Sequence, residues 1–312
     1  MNKLGQYLQE RKIEYYPDHE IKPYLTMGIG GKVRFIVVVH RLSQLKELLS
    51  FIAAGGHPFV LLGGGSNVVF DGAFTPLPVI INRTSEIVKC EGAHIVKVDS
   101  GVLNKDFLTW AIENRVGGMD FLAGIPGAIG GAAAVNAGAF GQSISTALEK
   151  AEIFIPGSGE IKTVDKDYFR FQYRDSVFKF GSEVILEVYL SYTDEDSAEI
   201  REKVKEKLRY RNENHPQWNA NVHTAGCFFK NPIIHDKRGS AGKIIESAGF
   251  KGRTYRQLEV SARHANFIIN KGGSTFADIL DLEQQITRTV QEKKGIILER
   301  EVIYISPEGK KY

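Results

Sequence analysis

Apolar residues recur at helical spacing in some stretches of the chain and form short strand-like runs in others. Leu45, Leu48, Leu49 and Ile52 fall at i, i+3, i+4 and i+7. That spacing predicts a helix capped by Ser43 and closed by Gly55 and Gly56. Apolar runs at 33–39, 59–62, 68–70, 79–82 and 95–98 read as strands. Asn104 is expected to cap a helix carrying Phe107, Leu108, Ala111 and Ile112 that ends at Gly117 and Gly118. Strands at 151–155 and 184–192 follow, then a helix from Ser197 with Ile200, Val204 and Leu208 on one face. The stretch 212–221 is polar, contains Pro216 and lacks periodicity, which marks a domain boundary. Beyond it the pattern predicts a helix at 242–248 and strands at 258–261 and 267–270. An amphipathic helix then carries Phe276, Ile279, Leu280, Leu282, Ile286 and Val290, with Gly295 at its end. A final strand is expected at 302–305. A β-α-β start followed by several further strands points to an α+β protein.

Composition narrows the picture mainly by exclusion. The 312 residues are enough for two or three domains, and the formal charge of +3 is small for that length. Such a balance predicts no general affinity for nucleic acid or for a membrane. The two cysteines, Cys90 and Cys227, lie far apart, with no CxxC pair and no HExxH motif. Neither a disulfide framework nor a structural metal is expected. No stretch approaches the roughly 20 apolar residues of a membrane span, and residues 1–18 lack a signal or transit pattern, so a cytoplasmic protein is expected.

Glycine is the exception. The chain has 32, about a tenth of its residues, and they cluster. Gly63, Gly64 and Gly65, followed by Ser66 and Asn67, come directly after an apolar strand. Such a loop permits positive φ and close approach to a pyrophosphate, though a simple tight turn needs the same residues. It is not GxGxxG, because position 68 is Val, so no nicotinamide-type fingerprint is present. The segment 124–141 holds six glycines and six alanines in 18 residues. It suits either close backbone packing or a large flat ligand. Two such loops favour a dinucleotide cradle, and composition does not identify the dinucleotide.

The ordered motifs go further. They are Thr26-Met-Gly-Ile-Gly-Gly31, Leu62-Gly-Gly-Gly-Ser-Asn67, Phe121-Leu-Ala-Gly-Ile-Pro-Gly-Ala-Ile-Gly-Gly131, Asn136-Ala-Gly-Ala-Phe-Gly141, Tyr173-Arg-Asp-Ser-Val-Phe-Lys179, Gly226-Cys-Phe-Phe-Lys-Asn-Pro232, His264-Ala-Asn-Phe-Ile-Ile-Asn270 and Leu298-Glu-Arg-Glu-Val302. In this order the set resembles the UDP-N-acetylenolpyruvoylglucosamine reductase family, the MurB type, over about residues 25 to 302. The resemblance implies a two-part FAD-binding region of the vanillyl-alcohol oxidase (PCMH) type over 1–211, dividing near 83. A smaller α/β substrate-binding domain is then expected over 212–301, with 302–312 a strand returning to the FAD-binding region. With about 70 residues between Cys227 and Glu301, the chain looks like the shorter type without the insertion in the substrate domain.

By the same resemblance, non-covalent FAD is held by Gly63, Gly64, Gly65, Ser66, Asn67, Gly124, Ile125, Pro126, Gly127, Gly130, Gly131, Asn136, Ala137 and Gly138. NADPH is the co-substrate and UDP-N-acetylglucosamine enolpyruvate the substrate. Arg174, Cys227 and Glu301 are the implied catalytic residues. Arg174 offers a permanent planar cation to a carboxylate. Cys227 stands where most members have Ser as the proton donor, and a thiol with a reference pKa of roughly 8.5 is protonated at neutral pH. Glu301 matches the acid of the Leu-Glu-Pro-Glu-Val pattern, although Arg300 here replaces its Pro. Tyr173, Lys230, Asn231 and His264 are implied substrate contacts, with Asn266 a further pocket candidate. A flavin-dependent alcohol oxidase of the same fold and a flavin-free nucleotide-sugar binding protein are the alternatives.

Overall fold

In the computed structural model, which describes residues 2–216 and 222–312, the apolar stripe at 276–290 becomes the helix Phe276–Lys294. Ile279, Leu282, Ile286 and Val290 are buried along it. Thr275 and Asp278 form a reciprocal capping box at its start, and Gly295 ends it in the left-handed region at φ 65°. The helix Leu42–Ala54 likewise buries Leu45, Leu48, Leu49 and Ile52, and Gly55 caps its end. Its expected N-cap is displaced, since Ser43 is already helical and the extended Arg41 precedes the first turn. The same holds for the helix Asn104–Glu113, which Leu103 precedes. Asn104 uses its amide on a distant acceptor, the carbonyl oxygen of Ile125 at 3.1 Å, rather than as a cap. That helix stops at Asn114, and Gly117 pairs with Thr193 in a two-residue strand.

The chain folds as two units. The first comprises Met1–His19, Val33–Gly64 and Pro76–Arg209. One of its sheets has four strands, in the order Glu14–Glu20, Lys32–Val39, Phe74–Asn82, Val60–Leu62. The last two run parallel, with Leu61 opposite Ile80. The helices Asn2–Glu10 and Leu42–Ala54 share a core with this sheet through Leu8, Leu45, Leu49, Val37, Val39 and Ile80. A second sheet is antiparallel, in the order Glu160–Asp165, Leu148–Ile155, Val184–Ser191, Ile95–Asp99, Ile87–Cys90. Its core gathers Val96, Val98, Phe107, Phe121, Ile129, Ile153 and Val188. The glycine-alanine stretch is not one long loop, because Ile129–Ala134 is a short helix buried in that core.

The second unit comprises Glu20–Lys32, Gly65–Thr75 and Tyr210–Tyr312. It is therefore assembled from three stretches rather than the continuous 212–301. Its three-stranded sheet runs Thr254–Tyr255, Leu258–Val260, Ile268–Asn270. The helices Ala241–Ser247 and Phe276–Lys294 pack with it around Phe228, Phe229, Ile245, Leu258, Val260 and Ile279. The closing strand Ile303–Ile305 pairs in parallel with Val68–Phe70, and both belong to this unit. The helix Ser197–Asn214 runs into the expected boundary at 212–221, and 217–221 lie outside the described residues. Ile200 and Val204 are buried on that helix as its pattern predicts, whereas Leu208 is 39% exposed. Among the described residues no helix is long and apolar enough to cross a membrane.

Candidate active site

In the first unit the two glycine-rich stretches lie backbone against backbone. A Cβ on Gly63 would stand 2.8 Å from the Ala128 methyl, and one on Gly64 would stand 2.5 Å from the Gly127 Cα. Packing alone therefore requires glycine at both positions. Arg83 anchors this turn: its Nη1 donates to the Gly63 carbonyl oxygen at 2.7 Å. Gly124 and Gly127 adopt φ of 68° and 117°, which gives the half-buried Gly124, Ile125, Pro126 and Gly127 their sharp path. The helix Ile129–Ala134 then starts with Gly130 pressed against Ser100, where a Cβ would come within 2.5 Å of the serine Cβ.

Two observations fit a ligand here. A Cβ on Gly131 would meet nothing within 4 Å, so the helix presents bare backbone at an exposed position. Asn104 is 1% exposed and donates to Ile125, yet its Oδ1 has no partner among the described residues. An open, Cβ-free helix turn and an orphaned buried acceptor against the Ile125–Gly127 stretch suit a flat dinucleotide.

Arg174 sits at the tip of a tight hairpin. Gln172 and Asp175 exchange backbone bonds at 3.0 and 3.2 Å, leaving Tyr173 and Arg174 as the turn residues, with Arg174 left-handed at φ 54°. Its guanidinium donates to the carbonyl oxygens of Gly138 and, at 3.4 Å, Asn136, and lies 5.5 Å from the Tyr173 ring centre. Asn136, an expected cofactor contact, has its side chain bonded within the protein. Its amide donates to Gln172 O at 2.7 Å and accepts from Ser145 N at 3.3 Å. Asn136, Ala137 and Gly138 are buried.

In the second unit, residues 226–230 lie between two other segments. Phe228 N donates to Asn266 O at 2.7 Å on one side, and Glu301 N donates to Phe228 O at 2.8 Å on the other. Asn266 also clamps Phe229 in both directions, accepting from its N–H at 2.9 Å and donating to its carbonyl at 2.8 Å. Cys227 is half-buried next to Gly226, whose φ of 81° turns the chain. This register places Glu301 within a residue of Cys227 on the adjacent segment. Asn67 reaches the same place: its amide donates to Glu301 O at 3.3 Å, and its carbonyl accepts from Ile303 N at 2.9 Å. Gly65 is needed beside it, because a Cβ there would lie 2.0 Å from Tyr24 O. Thr26 bridges Thr224 O at 2.7 Å and Ser66 O at 3.4 Å.

Arg300 has its own anchorage. The guanidinium lies 3.5 Å from the centre of the buried Tyr304 ring, and Nη1 meets Glu283 Oε2 at 3.4 Å. Tyr304 donates to the same carboxylate oxygen at 2.5 Å. Burial and then the Glu283 charge push the Tyr304 phenol well above its ordinary pKa.

The remaining expected substrate contacts have structural partners. Lys230 is nearly buried and pairs with Glu299 at 2.5 Å. The Asn231 side chain accepts from Ala241 N at 2.9 Å, steadying the start of the helix Ala241–Ser247. The His264 ring lies 5.3 Å from His215 and 5.1 Å from Phe267, close over Gly242. Burial lowers the pKa of both imidazoles. His215 is pushed down to about 4, with Arg211 and His264 adding to the effect. Tyr173 is 36% exposed at its turn. Arg83, Tyr304 and Glu283 lie outside every motif, and Arg300 stands out in its motif only as a replacement for Pro, so sequence reasoning missed the roles of all four.

The fold and the open glycine turn define an FAD-binding oxidoreductase of α+β architecture: residues 33–165 match the FAD binding domain family. Residues 215–305 match the C-terminal domain of UDP-N-acetylenolpyruvoylglucosamine reductase. The UDP-N-acetylenolpyruvoylglucosamine reductase of Geobacillus kaustophilus (strain HTA426) is 34% identical, over 93% of each chain. Reductase 2 of that name from Bacillus cereus (strain ATCC 10987 / NRS 248) is 31% identical over 91% of this chain and 90% of its own length. The crystal structure of the Thermus caldophilus reductase superposes with a TM-score of 0.74 at 29% identity, covering 94% of this chain and 98% of that one. The chain belongs to the UDP-N-acetylenolpyruvoylglucosamine reductase family, with the two-part PCMH-type FAD-binding region followed by a smaller substrate domain.

Proposed function

We propose that this chain catalyses the NADPH-dependent reduction of UDP-N-acetylglucosamine enolpyruvate to UDP-N-acetylmuramate, a cytoplasmic step of peptidoglycan synthesis. Support comes from the family's reaction and from one observation above all: the Phe228–Glu301 backbone bond, which holds the segment of Glu301 against the segment of Cys227.

The chemistry that FAD supplies when bound is a two-electron relay, taking a hydride from NADPH and giving one to C3 of the enolpyruvyl group. Gly63, Gly64, Gly124, Ile125, Pro126, Gly127, Gly130 and Gly131 would hold the dinucleotide through their backbone, and Ser66 and Asn67 follow the first of these stretches in sequence. Reduction at C3 leaves negative charge over C2 and the substrate carboxylate. Arg174 offers its guanidinium to that charge, and Glu301 polarises the developing enolate. Cys227 Sγ gives its proton to C2 and regains one from solvent, so the double bond gains one hydride and one proton. Binding energy from the distant UDP group fixes the reacting carbons.

The test is anaerobic. NADPH should bleach the flavin absorbance of the purified protein, and the enolpyruvyl UDP-sugar should restore it. Bleaching by an alcohol instead would indicate an oxidase, and a colourless protein that refuses added FAD would leave a nucleotide-sugar binding protein.

A further inference from the structure

We infer that Asn136 is a positioning residue for Arg174, an inference that rests on the catalytic reading of Arg174 given above. Arg174 is held at a place where its own conformation is costly, at φ 54° on the tip of a two-residue turn. Among the bonds that fix that turn, two go to one buried residue 38 positions earlier, while Gly138 O takes another from the guanidinium. Asn136 is 7% exposed and itself left-handed, at φ 48°. Its Nδ2 donates to Gln172 O at 2.7 Å, which sets the first residue of the hairpin. Its own carbonyl accepts from Arg174 Nη1 at 3.4 Å, which directs the guanidinium. Its Oδ1 accepts from Ser145 N at 3.3 Å, which fixes the amide's orientation and rules out the flipped rotamer. The far side of the hairpin is tied to the same segment, because Ser176 Oγ donates to Ala134 O at 2.6 Å.

The amide therefore couples the small-residue segment to the turn that presents Arg174. If the Gly124–Gly141 stretch lines the dinucleotide, the same residue sets the guanidinium relative to it. One donor and one acceptor of this amide are already committed to the protein, to Gln172 O and Ser145 N.

The experiment uses the FAD-loaded protein and its two half-reactions, in Asn136→Gly, Asn136→Asp, Arg174→Ala and the Asn136→Gly/Arg174→Ala double variant. Glycine accepts the left-handed backbone and removes only the side chain. Asp keeps the acceptor toward Ser145 and loses the donor toward Gln172. Both single variants should retain FAD, measured by flavin fluorescence titration of the apoprotein, and should be bleached by NADPH within about twofold of the wild-type rate. Recovery of the oxidised spectrum at saturating enolpyruvyl substrate should slow by about tenfold, the weight of one well-made hydrogen bond. In the Arg174→Ala background the Asn136 change should cost little further. Additive losses, or equal loss of FAD binding and of both half-reactions in both Asn136 variants, would overturn the positioning role. Wild-type recovery by Arg174→Ala alone would instead sink the reading of Arg174, and this inference with it.

Discussion

The backbone N–H of Glu301 donates to the carbonyl oxygen of Phe228 at 2.8 Å, so an acid from near the end of the chain lies in register with the residue that follows the half-buried Cys227. Cys227→Ala should therefore leave NADPH-driven bleaching of the flavin intact and abolish its recovery with the enolpyruvyl UDP-sugar. Stopped-flow absorbance separates the two steps. Equal slowing of both would remove Cys227 from the proton-transfer role.

The two kinds of glycine in the first unit should respond differently to a methyl group. Gly64→Ala drives a Cβ into the Gly127 backbone and should destabilise the protein by about 1–3 kcal/mol, seen as a lower melting temperature with FAD absent. Gly131→Ala meets open space inside a helix, so the apoprotein should melt no lower than wild type. Its FAD affinity should nevertheless fall, as measured by fluorescence titration. Unchanged affinity would place the dinucleotide elsewhere.

Arg300→Ala should cost about 1–2 kcal/mol, through the lost stacking on Tyr304 and the lost pairing with Glu283. Urea midpoints give the stability change. Since Arg300 adjoins Glu301, substrate-driven flavin recovery should slow more than NADPH-driven bleaching. A variant as stable as wild type would show that the guanidinium does not anchor this segment.

His215 and His264 are held neutral by burial, with His215 near 4, so folding opposes their protonation. The sign follows from linkage. Their contribution is fully present above the ordinary imidazole range near roughly 6.5, and it is lost as pH falls from there toward 4. Arg211 faces His215 with like charge and adds to the loss. Urea midpoints should drop between pH 7 and pH 5 in the wild type and drop less in His215→Phe, which keeps a ring against Phe267. An identical drop in both would assign the acid sensitivity to other groups.

Elements with a one-sided apolar pattern were legible. The stripe on Phe276–Lys294 and the quartet on Leu42–Ala54 name their buried faces correctly, and the glycines at 55 and 295 mark the ends. The strand Glu14–Glu20 was not, because its residues EYYPDHE are mostly exposed and polar and carry no alternation to read. Ser43 and Asn104 have the right chemistry for caps, but local spacing does not reveal that both already lie inside the first turn or that Asn104 bonds Ile125 instead. The motifs pointed to Cys227, Glu301 and Arg174. They did not show what orients them, since the bonds from Asn67 to Glu301 and from Arg174 to Asn136 span 234 and 38 positions and leave no periodic trace.

The second unit draws strand Val68–Phe70 from the first quarter of the chain and strand Ile303–Ile305 from the last few residues. During synthesis the early strand emerges more than two hundred residues before its parallel partner, with Val69 and Phe70 destined for full burial. Ribosome-bound intermediates thus carry an apolar strand that still lacks its parallel partner. The segment 215–305 on its own would face the converse problem, with Ile303–Ile305 left as a sticky edge.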